Sequence, residues 1–528
     1  MNLIRVDTVR LLLAEAHARF GSRPFLIRDR LLETVSYSEV LHFTRGLEER
    51  FDAMQIPAGA SVAVLLDNCG LAVLLFLAVI ASRRVLVPLN PKATSSEIGY
   101  MLDQSKCVAI LVDPSHVKAT SYIGKHVITI ANHRDFLASL LDVGQHIDAG
   151  EAPPETHPEV FGGEILFTSG STGRPKGVVL SEHNLLAEAD AIASLYNFGV
   201  TDTFLTVCPL FHIAGQTITT LACAVAGGTT VAVQSELGLA NFWHYVDKYR
   251  VTWSFVMTPF IAVLLSANSG PGAARTLRGL ITGGSAIDGS MITRFEARFG
   301  VPVRTAYGLT ETTSICTAES LDPTPRSLGS SGKPLPICEI RIESGSNQAP
   351  HRAPRSGPQL GEILVSGKNI FDSYIGNPDL TRMRKGDGWL HTSDVGYLDA
   401  NGNLFIVDRV DSMLVVGGEN VYPAEIENLC TALPGAAQVV LVGIDHPLLG
   451  KELVLLYRSE SGVSPSMKVW HQILSREVSG NRLPHRYLPI QELGLSEFPE
   501  THVGKIDRRR LATLVTANSP TDPDILGR

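Results

Sequence analysis

Residues 165–177 read I-L-F-T-S-G-S-T-G-R-P-K-G, an apolar run that stops abruptly in a loop of glycines, hydroxyls and cations. Ile165, Leu166 and Phe167 have the texture of a buried strand end. In the loop, Gly170, Gly173 and Gly177 let the backbone turn inward with no Cβ in the way, so successive N–H groups can face one anion. Thr168, Ser169, Ser171 and Thr172 add hydroxyl donors, and Arg174 and Lys176 add positive charge. The stretch reads as a polyphosphate cradle. It is not a Walker A loop, because no Gly-Lys-Ser/Thr stands at the required spacing. The alternative is a Gly/Ser-rich surface loop after a strand.

The surrounding pattern alternates. Strand-like runs at 61–66, 85–89, 108–112, 203–207, 229–233 and 253–257 are separated by helical stretches at 71–81, 95–102, after Gln216, and 239–249. Continuous apolar strands alternating with helices predict parallel sheets covered on both faces. Residues 279–284 read as another strand entering a Gly-rich turn. After Gly329 the texture changes to short strands with Gly and Pro turns, a β-rich subdomain. It changes again near Asp411, where strands at 438–444 and 453–457 and a helix at 466–478 predict a compact α+β unit.

The expected fold class is therefore α/β: a large domain at 1–410, a small mobile C-terminal domain at 411–517, and a flexible tail at 518–528. Residues 144–163 read as a linker. The chain's 528 residues allow more than one domain. A net charge of −8 gives no basic face for nucleic acid. The longest apolar run, near 71–81, is too short to span a bilayer, which needs about 20 residues. The seven cysteines sit singly, with no C-x-x-C. That fits a reducing compartment, and a cytoplasmic protein is expected. No signal peptide or peroxisomal address is read.

Four further stretches stand in order with the phosphate-loop candidate. They are Tyr307-Gly308-Leu309-Thr310-Glu311; Asp387-Gly388-Trp389 with His391-Thr392-Ser393-Asp394; Asp408-Arg409-Val410-Asp411 running into Gly417-Gly418; and Gly504-Lys505-Ile506. Together they resemble the motifs of the adenylate-forming superfamily: acyl-CoA synthetases, peptide-synthetase adenylation domains and beetle luciferases. The likeness spans about Thr168 to Arg510 and is looser before it.

That resemblance implies ATP, Mg²⁺ and CoA as cofactor and co-substrates, and it assigns roles. Thr168, Ser169, Gly170, Ser171, Thr172, Gly173 and Lys176 would hold phosphates. Tyr307 and Gly308 would line adenine, Thr310 would donate to the α-phosphate, and Glu311 would ligate Mg²⁺. A carboxylate suits that hard cation. Asp394 and Arg409 would hold the ribose, although a structural ion pair is the alternative. Lys505 would stabilise charge on the carboxylate and α-phosphate. Asp411 would be a hinge that exchanges Lys505 for Gly417 and Gly418 before the thiol step.

His212, in Pro209-Leu210-Phe211-His212-Ile213-Ala214-Gly215, resembles a residue beside the substrate carboxylate, with core packing as its alternative. Gly283, Gly284 and Ser285 are further pocket candidates. Amino-acid-activating relatives carry an Asp near His212 to pair an α-ammonium. Without one, burying that cation would be costly. The expected reaction converts a non-amino carboxylic acid to acyl-AMP, releasing pyrophosphate, and then to acyl-CoA. The alternative is a stand-alone adenylating enzyme serving a carrier protein or an amine. Arg83-Arg84 and Pro484-His485-Arg486-Tyr487-Leu488-Pro489 depart from the family's usual residues. Oligomeric state stays open.

Overall fold

The computed structural model describes residues 3–28, 33–120, 126–147, 162–168, 175–266, 275–285, 289–321, 326–343, 360–409, 414–416, 419–430, 433–446, 449–460, 463, 465–478, 482–500 and 506–518. The chain divides into two compact units. One comprises Met1–Arg341, Leu364–Thr392 and Ala400–Leu404; the other comprises Ile342–Ile363, Ser393–Asp399 and Phe405–Arg528.

The first unit holds two large sheets, and most of their pairings are parallel, as the alternation predicts. One runs Lys333–Pro334, Thr317–Ala318, Val303–Tyr307, Gly279–Gly283, Trp253–Met257, Thr203–Thr206, Thr229–Ala232, Pro24–Arg28, Glu33–Ser36. The other runs Ser373–Tyr374, Lys176–Ser181, Gly163–Thr168, Val85–Pro88, Ser61–Leu65, Ala109–Val112, His126–Thr129. Alternate side chains explain the layers. Leu205, Val231, Val256, Leu280 and Val303 pack with Phe242, Ile261, Ile292 and Phe295 from the neighbouring helices. Ala63, Leu65, Val87, Ile110 and Val112 pack with Ile98, Met101 and Leu102. The apolar run forms the helix Gly70–Ala81, in which every residue is buried. A helix apolar on all sides belongs inside a protein layer. Among the described residues, no helix is long and apolar enough to cross a membrane.

Some boundaries differ from the sequence expectation. The helix expected at 239–249 is two helices, Ser235–Ala240 and Phe242–Tyr249, broken at Asn241. The helical stretch expected after Gln216 begins earlier, at Ile213, and contains a π-turn at Thr217–Leu221. The expected linker overlaps ordered structure at both ends. Gly144 lies in the helix His133–Gln145, where an added Cβ would stand 1.8 Å from the His42 carbonyl oxygen. That glycine allows close helix packing. Residues 148–161 lie outside the described residues.

Between the main sheets and the final part of the chain come short strands at Cys338–Glu343, Gly361–Gly367, Leu390–Leu398 and Leu404–Arg409, the β-rich stretch expected from its turns. The second unit contains a sheet of Glu419–Val421, Leu414–Val416, Gly450–Ser459 and Ala436–His446, with Arg486–Pro489 beside Gly450–Ser459. Leu441, Leu453 and Leu455 pack with Ile426, Trp470 and Leu474. Val440, Val442, Val454 and Leu456 pack with Ile490, Leu511 and Val515. The period of two in these lists covers both sheet faces.

Candidate functional site

Parallel strands in one sheet deliver their carboxyl ends to one edge, where crevices form. Thr203–Thr206, Trp253–Met257, Gly279–Gly283 and Val303–Tyr307 are mutually parallel neighbours in this sense. The residues that follow three of them are His212, Gly284 with Ser285, and Gly308 through Glu311. The fold therefore gathers these sequence candidates at one edge of one sheet.

Each turn has a local cause. Gly308 has no room for a side chain, since an added Cβ would stand 2.1 Å from the Ser314 carbonyl oxygen and 2.5 Å from Ile315 Cα. Thr310–Thr312 is a single tight turn, and Thr313 closes it in the left-handed region at φ 53°. Gly284 has φ +87° with open space at its Cβ position. The Thr258 hydroxyl donates to the Gly283 and Ser285 carbonyls at 3.2 and 3.0 Å, which fixes this turn. Tyr307 is buried, while Thr310 and Glu311 are half-buried. A carboxylate beside a hydroxyl in a half-open turn is a hard-oxygen donor set that fits Mg²⁺.

His212 stands at the position before the helix Ile213–Gln216, with its ring 4.7 Å from that of Phe211. Gln216 Nε2 donates to the Leu210 carbonyl at 2.7 Å, and the Leu210 N–H donates to Asn68 Oδ1 at 3.2 Å. Asn68 in turn donates to the Val233 carbonyl at 2.8 Å. An apolar pocket beneath this segment is lined by Val64, Ala72, Phe76, Leu86, Leu210 and Phe211 among others, with Asn68 on its wall.

In the other sheet, Thr168 and Lys176 are direct partners across the antiparallel pair Gly163–Thr168 and Lys176–Ser181. The two described ends of the phosphate-loop candidate are thus side by side. Ser169, Gly170, Ser171, Thr172 and Gly173 lie outside the described residues, as do Gly417, Gly418, Asp411 and Lys505.

Within the second unit, Arg409 Nη1 donates to Asp394 Oδ1 at 3.1 Å, so these two candidates meet as a pair. Asp394 is buried. It follows Ser393, which holds φ +61°. A non-glycine residue there is uncommon, and such strain clusters at functional sites. The Asp408 carboxylate accepts from the Ala424 N–H at 2.8 Å, capping the helix Pro423–Cys430. Burial raises its pKa above the ordinary range. Near Lys505, Glu500 and Ile506 are bridged, and Arg508 pairs with Glu427, its Nη2 donating to Oε2 at 2.7 Å.

Sequence reasoning missed a set of buried polar residues behind the Tyr307–Glu311 loop. Glu188 accepts from the Ile315 N–H at 2.9 Å and from Asn369 Nδ2 at 3.2 Å. Asn184 Nδ2 donates to the Lys368 and Ile370 carbonyls at 2.8 and 3.1 Å. Tyr374 donates to Glu311 Oε1 at 2.7 Å. These contacts join residues up to 186 positions apart, and no local pattern announces them. The one available signal was a buried-looking Glu or Asn inside a helix that otherwise reads as apolar.

Comparison with known proteins shows the family and the fold. A family model described as "AMP-binding enzyme" matches residues 13–375. A sulfoacetate–CoA ligase from Cupriavidus necator is 28% identical, over 96% of this chain and 97% of its own length. A 2-succinylbenzoate–CoA ligase from Bacillus subtilis is 30% identical, over 79% of this chain and 82% of its own. The Bacillus subtilis o-succinylbenzoate CoA synthetase, solved with its acyl-adenylate intermediate, superposes with a TM-score of 0.79 at 27% identity, covering 95% of this chain and 97% of that one. ATP-bound MatB from Rhodopseudomonas palustris shares the fold, with a TM-score of 0.85 at 23% identity, covering 96% and 99%.

Proposed function

The chain belongs to the AMP-binding enzyme family, and from that premise we propose that it joins a non-amino carboxylic acid to CoA through an acyl-adenylate, splitting ATP to AMP and pyrophosphate. The observation that carries this reading is the gathering of His212, Gly283–Ser285 and Tyr307–Glu311 at one sheet edge.

Activating a carboxylate with ATP asks the protein to align two anions, neutralise developing charge and keep water out. In this reading, the loop between Thr168 and Lys176 holds the β- and γ-phosphates. Tyr307 stacks on adenine, and Thr310 donates to the α-phosphate. Glu311 holds Mg²⁺, which when bound neutralises charge on the phosphates. Asp394 and Arg409 bind the ribose hydroxyls. Lys505 supplies positive charge where the carboxylate oxygen meets the α-phosphorus. His212 orients the acid, and the apolar pocket beside it supports a neutral tail. The domain limits, 1–410 and 411–517, are part of this proposal. So is a hinge at Asp411 that exchanges Lys505 for Gly417 and Gly418 between the two half-reactions. A cytoplasmic location is likewise proposed, from cysteines that sit singly in the sequence with no C-x-x-C spacing.

Pyrophosphate release, measured over a panel of acids with and without CoA, tests the reading. The panel holds medium-chain and aryl acids, sulfoacetate, oxalate, 2-succinylbenzoate and the standard amino acids. Acid-dependent release, with thioester formed only when CoA is present, is expected. Release with amino acids and with no other member would refute it.

A further inference from the structure

The segment Phe371–Ile375 touches both halves of the nucleotide machinery. The Phe371 N–H donates to the Glu311 carbonyl at 2.9 Å, and the Tyr374 hydroxyl donates to Glu311 Oε1 at 2.7 Å. Backbone and side chain of one residue are thus gripped by one short stretch. The same stretch extends the sheet beside the phosphate loop. Ser373 and Tyr374 pair with Val179 and Val178. The Asp372 and Ile375 N–H groups donate to the Val179 and Gly177 carbonyls at 2.9 and 2.8 Å. That partner strand begins at Lys176.

The grip is rigid from behind. Asn369, fully buried, accepts from the Thr313 hydroxyl through its carbonyl at 2.7 Å. Its Nδ2 donates to Glu188 and to the Ile315 carbonyl, the latter at 3.1 Å. The loop that carries Glu311 therefore cannot shift without breaking several buried hydrogen bonds, and buried polar groups left unsatisfied are costly. Tyr374 is itself 4% exposed and packs against Phe371. Its hydroxyl occupies one lone-pair direction of the Glu311 carboxylate.

We propose that Tyr374 is a positioning residue for the metal–nucleotide step: it fixes the carboxylate of Glu311 and registers that carboxylate against the phosphate-loop strand. The proposal rests on the assignment of Glu311 as a metal ligand. Outer partners of a metal ligand typically change metal affinity by about 10–100-fold when removed.

The test is Tyr374→Phe, which removes the hydroxyl and keeps the ring. Mn²⁺ is titrated into the protein with a non-hydrolysable ATP analogue and followed by electron paramagnetic resonance. Wild type, Y374F, E311Q and the double variant are compared. Y374F should weaken Mn²⁺ about tenfold, leave the KM for the acid unchanged and melt within a few degrees of wild type. The double variant should be no weaker than E311Q alone, because the hydroxyl acts through that carboxylate. Unchanged Mn²⁺ affinity in Y374F, or losses in the two single variants that simply add, would overturn the proposal while leaving Glu311 as ligand. Wild type that takes up no nucleotide-dependent Mn²⁺ would overturn the ligand assignment and the proposal with it.

Discussion

Glu164 should make the protein lose stability as pH rises from 4.5 to about 8, and replacing it by glutamine should abolish that loss. Glu164 lies on the strand Gly163–Thr168, one residue before Ile165. Because strand side chains alternate, Ile165 faces the core around Ile98 and Glu164 faces the opposite, fully buried side. Among the described residues neither carboxyl oxygen has a partner of good hydrogen-bond geometry, and the nearby Gln216 side chain only weakly offsets the cost of burial. Burial pushes the carboxyl pKa from 4.5 up to about 8. Below pH 4.5 the group is protonated folded or unfolded. Between 4.5 and 8 the folded chain binds the extra proton, so stability falls as pH rises, and the loss is complete above the folded value. At about 1.4 kcal/mol per pH unit, the total is on the order of 5 kcal/mol as an upper bound.

Melting temperature is the convenient readout. An unfolding entropy of about 2.1 cal/mol/K per residue, over the 375 residues of the first unit, converts that free energy to about 6 °C. Glu164→Gln is close in shape and cannot ionise. Its amide can donate to Gln216 Oε1, as the protonated carboxyl of Glu164 can below its folded pKa, so the two proteins differ little at low pH. The diagnostic quantity is therefore the difference between the two proteins as pH changes. The variant should melt close to wild type at pH 5 and several degrees higher at pH 9. Profiles that stay parallel across that range would refute the argument that Glu164 is buried without a charge partner.

Lys505→Ala should lower acyl-AMP formation by about 10²–10³ or more, yet spare transfer from supplied acyl-AMP to CoA; equal loss of both half-reactions would sink its assigned role. Gly308→Ala forces a Cβ against the Ser314 carbonyl, so acid-dependent pyrophosphate release should fall at least tenfold, and unchanged release would show that the turn can yield. Arg508→Ala removes the two-pronged partner of Glu427, which keeps the Leu441 N–H as a donor, and should destabilise the second unit by about 1–3 kcal/mol in urea unfolding. Arg508→Lys, which keeps charge but loses the two-pronged geometry, should fall between.

What the sequence made legible was whatever is local. The phosphate-loop candidate, the strand–helix alternation and the buried helix at Gly70–Ala81 each rest on composition within about a dozen residues; the alternation and the helix have their place in the fold, and of the loop the two described ends pair side by side. The break at Asn241 and the π-turn at Thr217–Leu221 escaped, because apolar periodicity continues across both and only packing interrupts the helix. The return strand Lys176–Ser181 escaped because it follows the loop directly and carries few turn signals of its own. The site divides in the same way. Residues whose type states their chemistry were named in advance: His212, Tyr307, Glu311, Asp394 and Arg409. The residues that hold them in place were not. Glu188, Asn369 and Tyr374 act through contacts between distant parts of the chain, and their types are common in any protein. Glu164 marks the limit of such reading. Beside Ile165 in a strand it resembles an ordinary solvent-facing carboxylate, since alternation would normally put it outside. Here both sheet faces are covered by helices, so alternation exchanges one buried layer for another. Parallel sheets covered on both faces leave no solvent side for a charged residue. A charged residue within a strand of such a sheet is therefore a signal in its own right, readable only once the sheet's two-sided cover is known.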